Sequence, residues 1–403
     1  MTPGPIVDDA AALERLYATL AGADGLALAA EENAMHAYRA RVCLLQVALV
    51  SGEGEPTAYV IDALAFQGVK KSPLADLPRY VPPHARVVVH GGEYALAALR
   101  RDFAMDFGAN PPIDTQQAAV LLGLPETGYR SLCRTLLEVA LPAPASVDWR
   151  LRPLSPDLVE HALADVRHIP ALWRILARRI AAADLEDELA IASGVVAATP
   201  THANAPDPLR SRHLPGASGL PPEGKALLDA LVRWRDAKAR ELDVPPGRLL
   251  ANARILALAQ RPERALADLD RIRFHSRLLW DDREALKRQV TIALEAGAPP
   301  SPSSRPATAS APRPAAPRPA RSLRAAGPPS PIVRARTARL KAWRREEAAR
   351  REVGLQAILP GAALEHLAWI GAADLEGLAA VPQLGSRRIE RYGAALLALC
   401  NAP

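Results

Sequence analysis

The chain has 403 residues, of which 49% are hydrophobic and 23% charged, and its formal net charge is +6. This length predicts two or three domains with buried cores. No apolar stretch approaches the roughly 18–20 residues needed to cross a bilayer, and the N-terminus lacks the basic start and apolar core of a signal peptide. The cysteines, Cys43, Cys133 and Cys400, are too far apart to predict a disulfide framework or a zinc motif. We therefore expect a soluble protein of a reducing compartment, the cytoplasm.

The positive charge is concentrated in one segment. Between Arg305 and Arg345 there are eleven basic residues and no acidic ones, so this segment carries +11 and the rest of the chain 6 − 11 = −5. Residues 299–331 are rich in Pro, Ala and Arg and lack hydrophobic periodicity, which predicts an extended linker. Such a segment can bind a polyanion by neutralising phosphates, or it can serve only as a solvated spacer.

The residues up to about 195 alternate between helix and strand patterns. The first predicted helix follows a cap at Asp8 or Asp9 and presents leucines on one face. Buried strands are then predicted over 25–31, 42–50, 57–66 and 85–92, and helices over 93–103, 114–124, 129–140 and 156–180. Three strands in a meander followed by strand–helix alternation predict a mixed α/β sheet with helices packed on it.

Acidic and histidine side chains follow two of these strands. Glu31 ends the first strand, and His90 opens the turn HGGEYAL after the fourth strand. His161 and Asp165 are spaced i and i+4, so they share one face of a predicted helix. Phosphodiester hydrolysis by two metal ions needs about four carboxylates around Mg²⁺ or Mn²⁺. These residues are therefore candidates for a nuclease site.

Six segments of the N-terminal body carry a family resemblance: LALAAE, VCLLQVA, AYVIDAL, VVVHGGEYAL, PIDTQQAAVLLG and DWRLRPLSPDLVEHALADVRHIPAL. Their order resembles ribonuclease D, a DEDD-type 3′–5′ exonuclease. Two later segments are KALLDALVRWRDAKARELDVPPGRLLANARILALAQRPERALADL and ILPGAALEHLAWIGAADLEGLAAVPQLGSRRIERYGAALLAL. They resemble the two HRDC domains of ribonuclease D, small helical modules that bind nucleic acid or protein. The resemblance implies a ribonuclease H-like α/β exonuclease domain followed by two small all-α HRDC-like domains.

The same resemblance shows departures at the metal site. The family's Asp-x-Glu motif falls on Ala29 and Glu31, its second aspartate falls on Ala95, and its Tyr-x-x-x-Asp motif is present as His161 and Asp165. Two expected aspartates are therefore alanine. The resemblance implies a remnant site at Glu31, His161 and Asp165, with Glu31 and Asp165 as weak or vestigial metal ligands. Mg²⁺ or Mn²⁺ would be the cofactor if the protein is active.

Other acidic residues do not replace the missing aspartates convincingly. Glu32 is adjacent to Glu31 on a strand and should point to the opposite face, and Glu93 lies roughly 200° around a helix from Ala95. Several candidates have a structural role as the alternative interpretation. Glu31 would face solvent, Asp165 would pair with Arg167 or Arg174, and His90 would stabilise its turn. Asp114 would cap a helix with Gln117 completing a capping box, and Asp62 would be a turn residue.

The C-terminal module contains a second candidate site. The backbone amides of Gly385 and Ser386 lie at a predicted helix N-terminus, where they can bind a phosphate beside Arg387, Arg388 and Arg391. Exposed arginines are also common on any small helical domain. We expect nucleic-acid contact here because the +11 segment lies immediately upstream.

The predicted layout has five parts. They are an exonuclease-like domain at 1–195, a connector at 196–222, a first HRDC-like domain at 223–297, a linker at 298–334 and a second HRDC-like domain at 335–403. The favoured function is a nucleic-acid-binding protein with impaired or lost catalysis, whose partner is RNA or possibly DNA. The alternative is an active 3′–5′ exoribonuclease that trims RNA 3′ ends such as tRNA precursors, and a third class is a helper in DNA processing.

Overall fold

The computed structural model describes residues 6–52, 54–68, 71–108, 110–142, 147–201, 214–272, 278, 280–295 and 328–402. These residues fall into two compact units. The first contains those of 1–31, 42–201 and 315–403, and the second contains those of 32–41 and 202–314. Most of the predicted Pro/Ala/Arg-rich linker lies outside the described residues.

The first unit is built on one five-stranded mixed sheet with strand order β3-β2-β1-β4-β5. β1 pairs with β4 and β4 with β5 in parallel, whereas β2 and β3 are antiparallel. The strands are β1 (Gly25–Glu32), β2 (Val42–Val50), β3 (Thr57–Asp62), β4 (Arg86–Val89) and β5 (Ile113–Asp114). The prediction of a mixed α/β sheet is confirmed.

Helices of the same body cover both faces of the sheet. They are α1 (Ala10–Leu20), α2 (Leu77–Tyr80), α3 (Glu93–Phe103), α4 (Thr115–Leu121), α5 (Tyr129–Leu137), α6 (Pro156–Arg167), α7 (Ile169–Ala182) and α8 (Glu186–Ala197). One core cluster joins α1 and α3 to the sheet, and another joins α6 to the opposite face. Asp9 caps α1 by accepting a 2.7 Å hydrogen bond from the Ala12 amide, as the sequence predicts.

Several predicted bounds differ from the structure: the strand expected over 85–92 ends at Val89, and the helices expected over 114–124 and 129–140 end at Leu121 and Leu137. Two further elements differ in kind. The strand expected over 57–66 ends at Asp62, whose carboxylate accepts from the Leu64 amide and starts a short 3₁₀ turn over Ala63–Phe66. The helix expected over 156–180 is two helices that meet at His168. Pro170 lies at the start of α7, where it has no amide hydrogen to continue the first helix.

The C-terminal module belongs to the first unit and is all-helical. Its helices are α14 (Pro331–Arg351), α15 (Leu355–Ile358), α16 (Gly361–Trp369), α17 (Leu375–Ala379) and α18 (Ser386–Asn401). α14 begins four residues before the predicted boundary at 335. Ser330 sets that start because its hydroxyl caps the helix at the Val333 amide.

The second unit contains the first helical module. Its helices are α9 (Pro222–Leu242), α10 (Pro246–Leu249), α11 (Asn252–Gln260), α12 (Ala265–Asp270) and α13 (Trp280–Glu295). Leucines and alanines of these helices form its core. Arg235 is buried and donates to the Leu250 carbonyl and to Asn252. Among the helices of the described ranges, not one has the length and apolarity required to span a membrane.

Candidate active site

The carboxyl ends of β1 and β4 meet at one edge of the sheet. Leu28 of β1 lies opposite Val89 of β4 in parallel register. The residues that follow, Ala29 to Glu31 on one strand and His90 on the other, therefore lie at the same edge. Ala95 lies in the first turn of α3, which begins three residues after His90. The fold thus brings the predicted motif positions of β1, β4 and α3 to one place.

Strand alternation aims Glu31 toward α6. Ala27 and Ala29 pack in the cluster that contains Leu163 of α6, whereas Ala30 packs in the cluster on the other face. Glu31 is two residues from Ala29 and so shares its face. By the same alternation Glu32 is expected on the opposite face, which stays a prediction. Glu93, the other candidate substitute, lines a separate cavity with Gln117 and Glu188.

The structure brings Glu31 and Asp165 together. Their carboxyl groups share a side-chain hydrogen bond. Burial raises the pKa of Asp165 above its usual range, and nearby positive charge from His161 opposes that rise. The His161 ring lies 6.1 Å from the Trp149 ring, between centroids. The alternative pairing of Asp165 with Arg167 is not observed, because Arg167 forms a 2.7 Å ion pair with Glu160.

Arg130 is the residue of this site that the sequence did not reveal. It lies in the first turn of α5, and its charge favours the ionised form of Asp165. The preceding Tyr129 anchors α5 against α6 and α7: its hydroxyl donates to the Ala164 carbonyl at 3.0 Å and accepts from the His168 amide at 3.2 Å. One terminal guanidinium nitrogen of Arg130, Nη1, is buried without a hydrogen-bond partner. The positive charge of Arg130 therefore acts on Asp165 from the first turn of α5.

The donors of this site do not fit a two-metal centre. Alanine at positions 29 and 95 offers no side-chain oxygen, and the positive charge of Arg130, which acts on Asp165, opposes the approach of a divalent cation. Among the described residues, no group of three or more His, Cys, Asp or Glu side chains is arranged to hold a metal ion. Glu31 and Asp165 are the remaining carboxylates of the site.

Asp114 and His90 join the strand ends to each other. The Asp114 carboxylate accepts from the amides of Gly91 and Gly92 at 3.0 and 2.9 Å, and it caps α4 at Gln116 and Gln117. His90 Nδ1 lies 2.9 Å from Thr115 Oγ1, and burial lowers the pKa of His90. These contacts hold the turn that carries α3.

Asp62 also has a structural role, since it forms an ion pair with Arg152 at 2.5 Å as well as capping the 3₁₀ turn. The segment before α6 is thereby fixed to the end of β3.

The arginines of the C-terminal turn contact protein groups. Arg388 is 1% exposed and donates to the carbonyls of Gln356, Ala357, Gln383 and Leu384, so this side chain is a core element of the module rather than a free phosphate donor. Arg387 and Arg391 form ion pairs with Asp184 at 3.0 and 2.5 Å.

Gly385, the N-cap of α18, packs against Ile191. The sequence pattern could not show this, because the partners of the turn lie about 200 residues away in the chain. Phosphate binding at Gly385 and Ser386 stays a prediction.

Comparison with known proteins agrees with this architecture. The 3′-5′ exonuclease family profile matches residues 5–181, and the HRDC domain profile matches residues 224–279 and 333–400. The fold and its domain order therefore define a protein of the 3′–5′ exonuclease class with two HRDC domains.

Ribonuclease D of Zymomonas mobilis is 31% identical over 282 residues, which is 67% of each chain. This chain belongs to the ribonuclease D family. A crystal structure of a Bifidobacterium adolescentis protein has the same fold, with a TM-score of 0.74, 20% identity and coverage of 99% of this chain and 97% of that chain. Escherichia coli RNase D gives a TM-score of 0.59 at 20% identity over 98% of each chain.

Proposed function

We propose that this chain is an RNA-binding member of the ribonuclease D family in which metal-dependent catalysis is lost or strongly impaired. The observation that carries the proposal is the composition of the site: alanine at positions 29 and 95, and the Arg130 cation beside the remaining carboxyl groups of Glu31 and Asp165. Two-metal hydrolysis stabilises both the attacking and the leaving oxygen. A site without two of its ligands loses several kcal/mol of that stabilisation, on the order of 10³-fold or more in rate.

RNA would contact the exonuclease groove, the basic linker at 298–334 and the HRDC-like domains at 223–297 and 335–403. In this layout 1–195 is the exonuclease-like body and 196–222 is the connector. The free thiols of Cys43, Cys133 and Cys400 are all buried, which supports a reducing compartment, the cytoplasm.

The alternative is an active exoribonuclease that uses Mg²⁺ or Mn²⁺ to trim RNA 3′ ends. One observation favours it: Glu31 and Asp165 are retained and adjacent, with His161 beside them. The related Escherichia coli enzyme is an exoribonuclease involved in structured RNA processing. In this alternative His161 would orient water in place of the family's tyrosine.

The test is an RNA-shortening assay. A 5′-labelled single-stranded RNA is incubated with the full chain and Mn²⁺, and its length is followed with time. The background is the variant Glu31→Gln/Asp165→Asn, which lacks both remaining carboxylates. The proposal expects equal rates for the unaltered chain and this variant. Shortening from the 3′ end that needs Mn²⁺ and exceeds the variant's rate would establish the alternative instead.

A further inference from the structure

A basic groove runs along the C-terminal module between α14 and α16. Its volume is about 740 Å³. Arg334, Lys341 and Arg344 line it from α14, and Leu364 and Trp369 line it from α16. The spacing of the three cations places them along one face of α14, over a length of about 15 Å. The helix as a whole contains eight basic and two acidic residues, a net charge of +6.

Two of the three cations of the groove are exposed. They are Arg334, whose Nη1 also donates to the Pro329 carbonyl at 2.8 Å, and Lys341. Arg344 is partly buried, and its Nε donates to the Leu355 carbonyl at 2.9 Å, which fixes the direction of the side chain. Glu365 is the acidic member of the lining, so the lining carries 3 − 1 = +2. This sign of charge suits a polyanion.

The groove also offers an aromatic surface. Trp369 lines the groove but does not belong to the apolar core of the module, which instead includes Leu364. Ala338, Leu364 and Ala368 also line the groove. A positively charged groove with an aromatic side chain is the arrangement that binds single-stranded nucleic acid, because the cations follow the backbone and a base stacks on the ring.

The other arginine-rich surface of the module is already engaged. Arg388 donates to backbone carbonyls, and Arg387 and Arg391 pair with Asp184. A phosphate at that turn would have to compete with a carboxylate. By contrast, the described residues place Lys341 and Trp369 in an open groove.

We propose that the α14–α16 groove is the site where this module binds single-stranded RNA, with Arg334, Lys341 and Arg344 on the phosphates and Trp369 stacked on a base. The inference rests on the proposed function in that RNA is the ligand, but it does not depend on whether catalysis is lost. The groove tolerates different sequences because every base presents a π-face to Trp369.

The experiment measures the binding of a fluorescently labelled single-stranded oligoribonucleotide to the full chain by anisotropy, at several salt concentrations in EDTA. EDTA prevents metal-dependent cleavage, so a failure of the groove and a failure of the proposed loss of catalysis are separate results. The groove variant is Arg334→Gln/Lys341→Gln. The matched control is Arg134→Gln/Arg350→Gln, which removes the same charge from two exposed ion pairs that lie outside the groove lining.

The groove variant is expected to lower the salt slope of log K by about 1.4, which is two phosphate contacts at about 0.7 each. Trp369→Leu should weaken binding by roughly 5- to 150-fold and leave the salt slope unchanged. The control should change neither quantity. Equal losses in the control and the groove variant, or full affinity in Trp369→Leu, would overturn the assignment. A groove variant that binds RNA normally would do the same and would leave a protein partner as the occupant.

Discussion

Replacing Arg130 with methionine tests whether this side chain balances the charge of the remnant site. The substitution keeps most of the apolar stem and removes the cation that favours the ionised form of Asp165. Because Glu31 shares a hydrogen bond with Asp165, the variant leaves two carboxyl groups together without the charge of Arg130, while His161 still acts on Asp165. We expect a less stable protein with a new affinity for divalent cations.

The expected change in the free energy of unfolding of Arg130→Met is the sum of two opposing contributions. The attraction between the Arg130 charge and the partly buried Asp165 carboxylate contributes about 1–2 kcal/mol, between the values for an exposed ion pair and for a charge-assisted hydrogen bond. Against this, methionine removes the buried Nη1 nitrogen that has no partner, which returns up to about 1 kcal/mol. The net loss in the free energy of unfolding should be roughly 1 kcal/mol at neutral pH.

The divalent-ion response separates this account from a general packing defect. A pair of carboxylates without a compensating cation should bind Mn²⁺ weakly. At an ion concentration tenfold above Kd, binding to the folded state alone adds about 1.4 kcal/mol. Denaturant unfolding with Mn²⁺ and with EDTA should therefore show stabilisation of Arg130→Met and little effect on the unaltered chain. The added substitutions Glu31→Gln/Asp165→Asn should abolish the Mn²⁺ effect.

Arg134→Met is the matched control, since Arg134 lies one turn further along α5 in an exposed 3.0 Å ion pair with Glu126. Exposed pairs of this kind contribute little, so the control should change stability by less than about 1 kcal/mol and show no response to Mn²⁺. The reasoning would be refuted by Mn²⁺ stabilising the unaltered chain as strongly as Arg130→Met.

Three further outcomes are expected. His90→Gln should flatten the pH dependence of the free energy of unfolding. Burial lowers the pKa of His90, so the stabilising contribution of His90 is present above the unfolded pKa near 6.5 and is lost as the pH falls through the folded value. Denaturant unfolding of both proteins at pH 7 and pH 5 checks this. Gly354→Ala should destabilise by about 1–3 kcal/mol, because its Cβ would meet the Val120 carbonyl, while Gly361→Ala, with nothing within 4 Å, should not; thermal unfolding compares them. Ala29→Asp/Ala95→Asp combined with Arg130→Ala should give Mn²⁺-dependent RNA shortening above background, and an inactive triple variant would mean that more of the groove than its ligands has changed.

Periodicity and turn chemistry predict much of the fold. The alternating or continuous apolar runs of β1, β2 and β4 and the cap of α1 are local signals, and the structure confirms them. Where β3 ends could not be read from its sequence, because the apolar run continues through Phe66 while Asp62 binds Arg152, ninety residues later. The same limit applies to α6 and α7, where one proline divides a pattern that is otherwise helical throughout.

The sequence likewise predicts some residues of the candidate site and not others. Glu31 and Asp165 could be predicted because each lies in a motif with a fixed place in the strand–helix order. Arg130 could not, since its position beside them depends on how α5 packs against α6, which involves the Tyr129 hydroxyl and the Ala164 carbonyl. The engagement of Arg387 and Arg391 by Asp184 is equally non-local. Local patterns predict which groups are present, and packing decides which of them stay available.

The remnant site also explains how the sheet edge can persist without a metal centre. In an active two-metal site the ions offset the mutual repulsion of several carboxylates. Alanine at positions 29 and 95 removes that repulsion at two positions. Ala29 packs against the apolar cluster that includes Leu163 of α6. The remaining pair is relieved by a shared hydrogen bond and by the positive charge of Arg130 and His161. The Asp114 bonds to the Gly91 and Gly92 amides hold the adjoining turn independently of any cation. Under the proposed loss of catalysis, this sheet edge keeps its shape without bound metal ions. The Mn²⁺ and anisotropy experiments therefore measure metal binding and RNA binding separately.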